Sequence, residues 1–71
     1  MGGDQVSFTI KQARQYAGYT QREMAKKLKI SRDSYRKIEQ NPGKTTVSMA
    51  AQICEITGIP IDQIFFADNS T

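Results

Sequence analysis

The chain has 71 residues, too few for more than one domain, and a domain of that size buries only about 60% of its unfolded surface. It has no His and a single Cys, Cys54, which excludes histidine-based acid–base chemistry, an internal disulfide and a Cys pair for zinc. The net charge of +3 hides an asymmetry: all ten cations lie between Lys11 and Lys44, with only Glu23, Asp33 and Glu39 among them, leaving +7 there and −4 in the rest.

The elements punctuate themselves. Thr9 with Gln12 has capping-box form and opens a helix that Gly18 can close in the left-handed conformation. Thr20 with Glu23 is a second box, and Tyr19 and Met24 have the spacing of a hydrophobic staple. Met24, Ala25 and Leu28 repeat at helical spacing. Ser31 caps a third helix, with Asp33 in the first turn where the dipole favours an anion. Tyr35 and Ile38 are its inward residues. Asn41-Pro42-Gly43 signals a turn. Thr46 caps a fourth helix whose apolar face is Val47, Ala50, Ile53, Cys54 and Ile56, ending at Gly58. Pro60 suits the first turn of a short fifth helix, with Ile64 and Phe65 inward. No segment alternates with period two, so the predicted class is all-α. Residues 1–8 and 67–71 are expected to be tails around a domain of residues 9–66.

The middle pair carries the functional signal. Gln21–Leu28 and Arg32–Glu39 are short helices joined by Lys29-Ile30-Ser31, and two amphipathic helices linked so tightly form a helix-turn-helix. With Tyr35 and Ile38 buried, Arg32, Asp33, Arg36 and Lys37 fall on the outward side. A helix of this size fits the major groove of B-form DNA. Arg is the residue suited to guanine, because its fork bonds O6 and N7 together. Asp33 has three open roles: accepting from cytosine N4, holding Arg36, or complementing the dipole. Lys26, Lys27 and Lys29 add long-range attraction to a polyanion.

At these residues the chain resembles the lambda-repressor-like, or Xre-type, helix-turn-helix family. The likeness runs from about Ile10 to Phe65. It is carried by Arg14, Gly18, Thr20-Gln21-Arg22-Glu23-Met24-Ala25, Leu28, Ile30-Ser31, Ser34-Tyr35-Arg36-Lys37-Ile38-Glu39 and Gly58-Ile59-Pro60-Ile61-Asp62-Gln63-Ile64-Phe65. The resemblance implies five helices around one core, a recognition helix in the major groove, and a homodimer on a two-fold operator. It implies base reading by Arg32, Asp33 and Lys37, with Arg36 beside them. It implies phosphate contacts by Gln21, which also braces the recognition helix, and by Ser31, Asn41, Gly43, Lys44 and Thr45. It implies a partly buried salt bridge between Arg14 and Glu39. Phe65 matches a buried position, which leaves Phe66 outward as a candidate dimer contact. Two departures stand out. Relatives commonly have Gly where Lys29 stands, and Asn-Gly directly after the Glu, where this chain reads Gln40-Asn41-Pro42-Gly43.

The function expected is a DNA-binding transcriptional regulator, a repressor acting in the cytoplasm without a metal or cofactor. The alternative is an antitoxin or other interaction module whose acidic C-terminal half meets a protein partner. No nucleophile–base pair or close carboxylate pair is visible, so no enzyme is expected. Gly43-Lys44-Thr45 lacks the rest of a nucleotide-binding loop, and Cys54 has no base to activate it. No apolar run approaches a membrane span.

Overall fold

The computed structural model describes residues 8–64 and 66. Four α-helices follow in order: α1 (Ile10–Ala17), α2 (Gln21–Leu28), α3 (Arg32–Gln40) and α4 (Val47–Thr57). Single 3-10 turns lie at Pro42–Lys44 and Ile61–Gln63. The first three helices start as their sequences dictate. The Thr9 and Thr20 hydroxyls accept from Gln12 N and Glu23 N, and the Gln12 and Glu23 side chains accept from the cap N–H groups in return. Ser31 Oγ accepts from Ser34 N. Each box satisfies two amides that a helix start leaves without partners.

The ends are equally legible. Gly18 and Gly58 close α1 and α4 at φ 87° and 76°. Lys29 closes α2 in the same left-handed region at φ 62°, among the described residues the one non-glycine with positive φ. Ile30 N donates to Ala25 O across it, which ties off the last turn. A β-carbon in that conformation costs roughly 1–2 kcal/mol.

The core draws on every α-helix: Ile10 and Ala13 from α1, Met24, Ala25 and Leu28 from α2, Tyr35 from α3, Ile53 from α4, and Ile59 and Ile64 beyond it. Tyr19, Ile30 and Ile38 are half-buried against it. No helix among the described residues is long and apolar enough to cross a membrane.

Four expectations are corrected. Among the described residues there is no fifth α-helix: Pro60 stands before the turn at φ −60°, ψ 151°, and one 3-10 turn follows before the chain extends at Ile64. Ile64 is buried as expected, and Phe65 lies outside the described residues. Phe66 is not outward but half-buried against the core. Packing that ring against the core removes its apolar surface from water. Val47 is 84% exposed. Each step of three residues falls about 60° short of a full turn, so Val47 lies some 120° from Ile53. Met49, four residues before Ile53, packs against the core instead. Phe8, placed in the tail by sequence, is half-buried: its N–H donates to Gln63 O at 2.8 Å, and its ring meets Tyr16 at 5.6 Å between centroids. This single parallel bridge between Phe8 and Ile64 joins the two ends of the domain.

Candidate nucleic-acid interface

Beneath α2 and α3 lies a polar hub centred on Glu39. Arg14 Nε donates to its Oε2 at 2.7 Å, the Tyr35 hydroxyl donates to the same oxygen at 2.6 Å, and Gln21 Nε2 donates to Oε1 at 3.0 Å. Arg14 Nη1 donates to Tyr19 O at 2.8 Å. The Arg14 and Glu39 side chains are 9% and 6% exposed. One carboxylate therefore ties α1, the start of α2 and α3 into one body. Burial by itself would raise the Glu39 carboxyl, but hydrogen bonds from Arg14, Tyr35 and Gln21 hold it below its usual range. Burial would likewise lower Arg14, and Glu39 raises it. Burial and the bond to Glu39 push the Tyr35 phenol far up, so at neutral pH it is a donor.

With α3 fixed from behind, its outer face presents Arg32, Asp33, Ser34, Arg36, Lys37 and Gln40, all exposed. Asp33 sits between two cations: Arg36 Nη2 donates to Oδ1 at 3.0 Å, and Lys37 Nζ is 3.6 Å from Oδ2. These contacts, the Arg36 hydrogen bond foremost, hold the Asp33 carboxyl below its usual range. Ser31 joins this face, its hydroxyl donating to Ser34 Oγ at 2.9 Å.

An open groove runs from the end of α1 to the starts of α2 and α3. Lys11, Arg14, Gln21, Arg22 and Arg32 line it. The Arg14 guanidinium and the Gln21 amide are already engaged with Glu39, whereas Lys11, Arg22 and Arg32 form no ion pair among the described residues. Sequence reasoning passed over Lys11 and Arg22 as site residues. Arg22 was findable, because it is the second residue of α2 and points away from the stripe of Met24, Ala25 and Leu28. Lys11 needed the packing of α1 against its neighbours.

The remaining predicted phosphate ligands lie past the other end of α3. Asn41, Gly43 and Lys44 are exposed around the 3-10 turn. Thr45 is half-buried, and its Oγ1 is shut off from solvent without a hydrogen-bond partner. That hydroxyl must rotate before it can reach a phosphate. Cys54 is half-buried against the core, and burial followed by the Asp62 charge pushes its thiol up, the opposite of what a nucleophile needs.

A short helix pair with a cationic outer face is the arrangement that meets a duplex. A family model described as helix-turn-helix matches residues 10–64. The chain belongs to the Xre-type, or lambda-repressor-like, helix-turn-helix family. Searches of curated proteins and of solved structures returned no match. As a member of this family, the chain is a DNA-binding regulator of the helix-turn-helix type. In this helix-turn-helix protein, α2 and α3 are the motif, Lys29-Ile30-Ser31 is its turn, and the Glu39 hub ties α3 to α1 and to the start of α2.

Proposed function

We propose that the protein is a sequence-specific repressor that occupies an operator as a homodimer and reads each half-site with α3 in the major groove. The observation that carries the reading is the outer face of α3, where exposed Arg32, Arg36 and Lys37 stand on a helix braced through Glu39. Arg32 and Arg36 offer forked donors to guanine O6 and N7, and Lys37 reaches a base edge or a phosphate. Asp33 is the one exposed carboxylate on that helix. Phosphate contacts come from the start of α2 at Gln21, from Ser31, and from the loop at Asn41, Gly43, Lys44 and Thr45. Repression then needs no chemistry beyond occupancy. Phosphate contacts set register, and base contacts choose the sequence.

Dimerisation follows from interface size, since a single small module leaves operator affinity weak and two half-sites multiply it. The segment after Lys44 carries no cation and exposes Val47 and Ile61, which suits contact with a second copy better than contact with DNA.

Selection from a randomised duplex library at fixed moderate salt tests the reading. The expected product is an inverted repeat with half-sites about 34 Å, one helical turn, apart. Retention without enrichment of any sequence would remove base reading from Arg32, Arg36 and Lys37, and with it the role of α3 as reader.

A further inference from the structure

We infer that Asp33 sets the specificity of this protein by holding Arg36 and Lys37 away from phosphates, without itself reading a base. The inference rests on α3 being the reading helix. Its starting observation is geometric. Asp33 lies between the two cations, at 3.0 Å from Arg36 Nη2 and 3.6 Å from Lys37 Nζ, using a different oxygen for each. All three side chains are more than half exposed, so the cluster lies at the surface and is not part of the core.

The consequence differs for the two kinds of DNA. A random duplex offers mainly phosphates. To reach them, Arg36 and Lys37 must leave Asp33, and the carboxylate then stands uncompensated in the field of the backbone. A matching site asks for something else. Guanidinium has five donors in a fixed fork, and Asp33 uses one, at Nη2. The rest of the fork can meet a guanine edge while the pair stays closed. Asp33 therefore penalises the backbone-only mode more than the reading mode, and specificity is a difference between the two. Exposed pairs are individually weak, so the effect of Asp33 on the ratio of affinities is modest, about two- to five-fold. Asp33 is a positioning residue in this account, acting through its neighbours.

The test compares wild type, Asp33→Asn and Asp33→Glu on a selected duplex and on a random duplex of equal length, across a salt series. Loss of the charge in Asp33→Asn should tighten random-duplex binding and steepen its log–log salt slope by up to about 0.9, the increment of one further phosphate contact. Affinity for the selected duplex should change less, so the ratio falls. Asp33→Glu keeps a carboxylate at helical spacing from Arg36 and Lys37 and should behave as wild type. Thermal midpoints of all three show whether the variants remain folded. Selective weakening of the selected duplex by Asp33→Asn, with random binding unchanged, would show a direct base contact and overturn the inference while leaving α3 as reader. Equal behaviour of all three on both duplexes would overturn it too, reducing Asp33 to a solvated charge. If wild type enriches no sequence at all, the reading of α3 fails and this inference falls with it.

Discussion

Replacing Glu39 by Ala should cost this fold a large part of its stability. The substitution removes the acceptor of three donors, Arg14 Nε, the Tyr35 hydroxyl and Gln21 Nε2, and leaves a guanidinium that is 9% exposed without its counter-charge. Orphaning one member of a buried pair costs about 3–5 kcal/mol. Total stability for a domain of this length is of order 4–11 kcal/mol, at about 0.05–0.15 kcal/mol per residue. In so small a domain each kcal/mol moves the thermal midpoint by about 4–8 °C, so the expected drop is at least about 12 °C.

Helical circular dichroism during thermal and urea unfolding measures this directly. Two controls locate the cause. A buried pair is poorly screened, so the deficit should persist in 1 M salt. Arg14→Met combined with Glu39→Ala should be less destabilised than the two single effects added, because no charge is left orphaned. A Glu39→Ala midpoint within about 2 °C of wild type would refute the argument, and so would a deficit that salt abolishes.

Other outcomes follow from the same geometry. Glu39 has a folded-state carboxyl below its ordinary value, so its contribution is complete above the unfolded value near pH 4.3 and is lost as pH falls through the folded one. Midpoints measured from pH 6 to pH 3 should fall more steeply in wild type than in Glu39→Gln. Lys29→Gly relieves the left-handed strain at φ 62° and should stabilise by up to about 1 kcal/mol, less whatever the freer unfolded chain takes back; an unchanged or lower urea midpoint would contradict it. Arg22→Ala should weaken binding to all duplexes alike and reduce the salt slope by about 0.9, whereas Arg32→Ala should lower the ratio of selected to random affinity. Val47→Ser should leave monomer stability within about 0.5 kcal/mol of wild type, as expected for an exposed side chain, and analytical ultracentrifugation reads whether it weakens self-association.

What the sequence disclosed was mostly local. Thr9, Thr20 and Ser31 announce helix starts because the capping partner lies three residues on, and Gly18 and Gly58 announce ends because a single residue must turn left-handed. Both signals are complete within one turn of chain. The outward face of α3 was legible for the same reason, since Tyr35 fixes the helix rotation. The chain after Gly58 was misread because Ile61-Asp62-Gln63 makes one turn of either helix type, and the choice is settled by where Ile64 must land against the core and Phe8. Val47 was misread because the apolar spacing of three drifts around the helix axis, and only packing says which end of the stripe stays buried.

The Glu39 hub shows the limit of reading pairs. The resemblance supplied Arg14 with Glu39, two residues 25 apart in the chain, yet the structure has four side chains in the cluster. Tyr35 had been read only as apolar and inward. Its hydroxyl reaches Glu39 because residues four apart on a helix stack on one face, so the ring fills the core while the phenol oxygen meets the carboxylate at the rim. Gln21 comes to the same carboxylate from α2. That convergence couples the two halves of the motif: the residue expected to meet a phosphate at the start of α2 is hydrogen-bonded to the acid that anchors α3. A phosphate that engages Gln21 would thus register against the same frame that aims Arg32, Arg36 and Lys37. On this argument Gln21→Ala lowers the affinity for the selected duplex by more than the loss of one neutral phosphate contact, and it does so with little change in the salt slope, because no cation is removed.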